Sequence, residues 1–242
     1  MSIAPLHADR HARVTIGTRP DASYGARHNH AVLGLSEVML AAADYPVLMM
    51  KDGETGAFNI IALFSFAPGE NRYIVDDRWI ATWVPGSMLR YPFYHDADAP
   101  HRLAIDEGCG LLNTAGGDPL FVDGHPAPFV ADIADRIAAL LDDITAAQTL
   151  ARTLAAHELV RPLSIILTKA DGHENQIDGL YTISESALDE LGDDAALTLH
   201  RQGALRAAAV MLASLHQLER VRQLHDYASG HPLAGFSFSI SE

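Results

Sequence analysis

The chain has 242 residues, 48 % of them hydrophobic, which supports a sizeable core in one large unit or two small ones and excludes a disordered chain. With 31 acidic residues against 17 basic ones the formal net charge is -14, so phosphate backbones and anionic bilayers repel it, and neither nucleic acid nor membrane insertion is expected. Cys109 is the only cysteine, so no intrachain disulfide forms, and MSIAPLHADRHARV lacks a signal-peptide apolar run; the expected location is the cytoplasm.

Residues 1–30 are polar and rich in His and Arg, and read as an extended arm. The region 31–125 reads as strand-rich. Val32 to Leu40 can line a short helix, or a strand followed by a helix, and Asp44-Tyr45-Pro46 stops it. Val47 to Met50 is a short buried strand, followed by a hairpin-type turn at 51–56 and a strand from Phe58 to Phe66. Pro68-Gly69 turns the chain into a strand at 72–75, and Leu103-Ala104-Ile105 and Leu120-Phe121-Val122 add two more across a Gly-rich loop.

The period changes in the region 126–242. Pro126-Ala127-Pro128 opens a helix whose apolar face is Phe129, Ile133, Ile137, Leu140, Leu141 and Ile144, and a second helical stretch is expected at 146–159. A hairpin follows at 163–183 around Asp171-Gly172, then short helices to about 191 and 201. The longest helix is expected at 204–227, with Leu205, Leu212 and Leu215 on the stripe it offers to the rest of the chain or to a second copy, a homodimer. Residues 236–240 alternate strictly and read as an edge strand. The fold class is α+β: a strand-rich N-terminal half, then a helical C-terminal half enclosing a β-hairpin, with a joint at 123–128 inside what reads as one unit.

Tyr45-Pro46, Pro68-Gly69-Glu70-Asn71, Trp79, Val84-Pro85, Arg90-Tyr91-Pro92-Phe93, Ile105-Asp106-Glu107, Pro119-Leu120-Phe121, Asp178-Gly179-Leu180-Tyr181 and Leu212-Ala213-Ser214-Leu215-His216-Gln217 occur in an order that resembles the bacterial SapC family over roughly residues 30–225. The resemblance implies an accessory protein associated with surface-receptor or halogenase systems. It carries over no catalytic residues and no cofactor.

The residues themselves point to binding rather than catalysis. G-x-S-x-G, H-E-x-x-H and a Walker A lysine are absent, and Gly108-Cys109-Gly110 is followed by no helix that would make it a dinucleotide site. Trp79, Trp83, Arg90, Tyr91 and Phe93, with Glu70 and Asn71 beside them, form the expected site for a peptide or protein partner, because aromatics and Arg dominate interface energies. Arg90 can clamp a carboxylate, stack on a ring or close a structural salt bridge. The alternative is a metal-dependent enzyme resembling the Fe(II)/2-oxoglutarate oxygenases, with ligands drawn from His28, His30, His95, Asp98 and His101. The only His-x-Asp doublet, His7-Ala8-Asp9, lies ahead of every expected strand, a poor place for ligands that need rigid support.

Overall fold

The computed structural model describes residues 2–17, 22–96 and 103–241. The chain opens with β1 (Ile3–Pro5), α1 (Ala8–His11), β2 (Thr15–Ile16) and α2 (Ala22–Ala26), then β3 (His30–Val32), a 3-10 turn (Leu35–Glu37), α3 (Val38–Ala41), β4 (Val47–Lys51) and β5 (Phe58–Leu63). A two-residue ladder of β6 (Ile74–Val75) and β7 (Arg78–Trp79) precedes α4 (Gly86–Leu89), β8 (Phe93–His95), β9 (Leu103–Asp106), β10 (Asp118–Pro119), β11 (Phe121–Val122) and β12 (His125–Pro126). The rest is α5 (Pro128–Ala156), β13 (Val160–Thr168), β14 (Glu174–Ile183), α6 (Glu185–Asp189), α7 (Asp193–Arg201), α8 (Ala204–Ser214), α9 (Gln217–Ser229) and β15 (Gly235–Ile240). The fold is α+β, strand-rich in its N-terminal half and helical in its C-terminal part. Among the described residues no helix is long and apolar enough to cross a membrane.

The main sheet has six strands in the order β15-β13-β14-β4-β5-β3, paired antiparallel throughout. Both halves of the chain therefore contribute strands to one sheet. Val47, Leu48, Met49, Ile60, Ile61 and Ala62 are buried, so β4 and β5 are covered on both faces, which their uninterrupted apolar runs imply. The β13–β14 hairpin turns at Asp171-Gly172, and its register shifts between Leu163 and Ile165, opposite Gly179 at φ 83. A smaller antiparallel sheet has the order β1-β9-β8.

The hydrophobic interior forms two clusters. The larger packs the six-stranded sheet against α3, α8, α9 and the C-terminal half of α5; the smaller gathers Ile16, Phe93, Ile105, Leu120, Phe121, Val130 and Ile137. Helix α5 enters both. It has 29 residues, roughly 43 Å at 1.5 Å per residue, and starts with a proline, whose missing N–H leaves no bond unmade there.

Several expectations change. The described residues within 1–30, expected as an extended arm, join the fold: β1 pairs with β9, β2 pairs with β10, and His11 and Tyr24 are buried. The two helical stretches expected between 126 and 159 are the single helix α5, because Thr145, Thr149 and Thr153 turn their hydroxyls to the carbonyls of Leu141, Thr145 and Thr149 and leave the ladder unbroken. Residues 123–128 make a tight hairpin between β11 and β12 that leads straight into this helix. Conversely, the expected helix at 204–227 is two, α8 and α9. Ser214, at the break, bonds Met211 O and accepts from the Val47 N–H at 2.9 Å, tying the helix end to β4. The buried face of α8 is Ala204, Ala207, Ala208 and Met211, while Leu205 and Leu212 are half-buried. The alanines of this face let α8 approach α3, α5 and β14.

Met211 is fully buried and Leu212 is not, so Met211→Ala should cost about 2–5 kcal/mol of stability in urea unfolding. Leu212→Ala should cost clearly less, and the ranking should hold at every protein concentration.

Candidate functional site

The segment that follows Pro85 is anchored from three directions. Glu37 is buried, and both of its oxygens accept backbone N–H groups: Oε2 from Gly34 at 2.9 Å and Oε1 from Gly86 at 2.7 Å. Ser87 Oγ donates to Val32 O at 2.8 Å, which ties α4 to β3. Asp143 of α5 accepts from the Ser36 N–H and, at 2.6 Å, from its hydroxyl. Asp143 also lies so close to Gly34 that a Cβ there would sit 2.1 Å from its Oδ2, so the approach of helix to turn requires glycine.

Past α4, Arg90 emerges between two hollows along α5. One is a cleft of ≈ 480 Å³ lined by His28, His30, Asn59, Ser87, Tyr94 and His95, with Leu141 and Ile144 on its α5 side. The other, ≈ 420 Å³, is lined by Ile16, Leu89, Tyr91, Pro92, Phe93, Leu111, Ile133 and Arg136. Arg90, Ile137 and Leu140 line both, so the hollows adjoin as the two lobes of a candidate groove. The Arg90 guanidinium lies 4.3 Å from the centre of the Tyr94 ring, and its Nη1 donates to Phe93 O at 3.2 Å. Of the roles open to Arg90, the structure shows ring stacking; among the described residues it makes no ion pair.

The groove walls are themselves supported. Tyr91 stacks on Tyr24 with ring centres 4.1 Å apart, and Phe93 is buried in the smaller core. Burial, reinforced by a hydrogen bond with Tyr24, pushes the Tyr94 phenol well above its ordinary range. His28 Nδ1 donates to Tyr24 O at 2.8 Å, and His30 Nδ1 lies 3.0 Å from Asn29 Oδ1. Burial first, and then the neighbouring His28, lower the pKa of His30.

Other expected site residues go elsewhere. Trp79 ends the short β7, and Trp83 lies in the loop beyond it. Trp79 Nε1 donates to Tyr45 Oη at 2.6 Å, Tyr45 Oη donates to Trp83 O at 2.5 Å, and both indoles pack against the larger core. Buried Asn71 donates to Gly25 O and accepts from the Tyr73 N–H. Glu70 pairs with Arg72. None of these four lines the groove. His28, His30 and His95 line one lobe together, whereas Asp98 and His101 lie outside the described residues. Among the described residues no three His, Cys, Asp or Glu side chains form a metal-holding group. The groove residues that the sequence did not mark as a site include Tyr94, Ser87, Arg136 and the α5 wall. Their one legible signal was the apolar stripe of α5, which continues through Leu140, Leu141 and Ile144 past the smaller core.

Tyr45→Phe removes the hydroxyl that joins Trp79 to Trp83 O and should cost about 1–3 kcal/mol in urea unfolding, with a changed tryptophan emission spectrum. His30 binds a proton less readily folded than unfolded, so its contribution to stability is full above its ordinary pKa of 6.5 and declines as pH falls below it. The melting temperature should therefore fall between pH 7.5 and 5.5, and His30→Gln should flatten that fall.

No curated protein and no solved structure matches this chain. A family model, SapC, matches residues 6–221, a span that includes every described groove residue and ends before β15. Over most of its length, the chain belongs to the SapC family.

Proposed function

We propose that this SapC-family chain is a cytoplasmic binding protein without catalytic activity, and that it recognises a peptide or protein partner through the groove around Arg90. The observation that carries this reading is the position of Arg90: an arginine with no ion pair among the described residues, stacked on Tyr94, at the junction of two lobes walled by Ile137 and Leu140. An arginine held by an aromatic ring beside apolar walls is the composition of an interface centre. Two lobes of a few hundred Å³ suit successive side chains of an extended segment. The partner is to be sought first among the surface-receptor and halogenase systems to which the family resemblance points.

The second reading, an oxygenase-like metal enzyme, draws on one observation: His28, His30 and His95 line the same lobe. Stoichiometric iron or zinc in protein purified without a tag would favour it.

The binding reading is tested with a photo-crosslinking amino acid placed in the native cell at Leu89 or Leu141, which are exposed and line the two lobes. The expected result is a shared set of crosslinked peptides from these two positions that is absent from a control at Tyr227, 83 % exposed on α9. Identical products from all three positions would overturn it.

A further inference from the structure

We infer that the groove takes an extended segment whose side-chain carboxylates alternate with apolar residues, an acidic peptide strand; this rests on the reading of the groove as a partner site. Charge is the first ground. The chain holds 31 acidic residues against 17 basic ones, yet no described Asp or Glu lines either lobe. Both lobes instead carry cationic or protonatable groups: His28, His30, His95 and Arg90 in one, Arg90 and Arg136 in the other. A concave surface lined by one sign of charge, inside a molecule of the opposite sign, focuses potential on ligands of that opposite sign.

The state of the arginines is the second ground. Arg10, Arg72 and Arg222 each meet a carboxylate of this chain. Arg90 and Arg136 meet none among the described residues. The Arg90 guanidinium is held by Tyr94 and Phe93 O, and its remaining N–H groups make no hydrogen bond among the described residues. A planar donor fork so held, with donors left over, matches a carboxylate. Two arginines on different elements, Arg90 at the junction of the lobes and Arg136 in the second, match side-chain carboxylates spaced along a strand rather than one terminal carboxylate.

Backbone geometry supplies the extended conformation. β3 is an edge strand of the main sheet, and alternate residues of an antiparallel strand point away from its partner. Phe64 donates to Asn29 O, and Leu33 donates to Ile60 O, so the residues bonded to β5 are 29, 31 and 33. The His30 and Val32 backbone groups are directed the other way, to the side where Ser87 already donates to Val32 O. His30 thus directs its backbone groups to the rim of the first lobe, beside the α4 tie, and Ile133, Ile137, Leu140 and Leu141 offer the apolar wall.

The test uses the full chain and short fluorescein-labelled peptides, capped at both ends, in which Leu alternates with Asp, Asn or Lys. In fluorescence anisotropy the Leu–Asp probe should bind, weaken as salt is raised, and outcompete the other two. Arg90→Gln and Arg136→Gln should each weaken it about tenfold, the effect of losing one charge-assisted bond. Arg201→Gln, the same change at an exposed arginine outside the groove, should leave it unchanged. Arg136 is exposed, so its variant tests the idea even where Arg90→Gln unfolds the chain. Equal binding of the Leu–Asn probe, with no effect of either arginine variant, would overturn the acidic class and leave the groove a binding site. Binding of no probe, together with identical crosslinks from positions 89, 141 and 227, would overturn both readings.

Discussion

Helix α5 has to be buried in two places at once. Its N-terminal half supplies Val130 and Ile137 to the smaller cluster, and its C-terminal half supplies Ala147, Leu150, Ala151 and Leu154 to the larger. A helix of 29 residues turns a continuous stripe toward both, but the two clusters are separate bodies of side chains. Between them the stripe has less to cover it. Leu140, Leu141 and Ile144 lie in that interval, and the groove is what remains there. The candidate site is therefore a consequence of how the cores divide one helix, not of a loop added to a finished scaffold.

Polar ties hold the far wall of this groove at a fixed distance. Burying a carboxylate is costly unless its oxygens are bonded. Glu37 meets that condition with the N–H groups of Gly34 and Gly86, one on each side of the gap between β3 and α4. Asp143 does the same between α5 and the 3-10 turn. Asp44 accepts from the Thr82 and Trp83 N–H groups, which secures the loop before α4 to the end of α3. Each tie is charge-assisted and joins segments far apart in sequence, so together they position Arg90 more tightly than packing of the four-residue α4 could.

The same division explains which aromatics support and which are presented. Trp79, Trp83, Tyr45, Tyr73 and Phe64 pack edge to face or bond to one another at the border of the larger core. Tyr24, Tyr91 and Tyr94 sit around the groove, where Tyr24 and Tyr91 stack face to face and Tyr94 carries the Arg90 guanidinium. Tyr24 comes from the N-terminal 30 residues. Those residues complete the wall of the site.

The sequence by itself determined the α+β class, the strands β4, β5 and β9, the hairpin 163–183, the edge strand β15 and the start of α5. These are local matters: an apolar run, an alternation, an Asp-Gly turn or a proline at a helix start is readable within a window of a few residues. It also marked His28, His30 and His95, which one lobe does collect. Tertiary structure alone decided the rest. Whether α8 and α9 are one helix depends on Ser214 meeting Val47, 167 residues away. Whether Trp79 faces a partner or the core depends on Tyr45 lying beneath it. α4 is too short for any periodicity to reveal and exists because Glu37 and Val32 hold its first turn. The groove itself is set by the gap between two cores that share a helix, and no single segment of the chain encodes a gap.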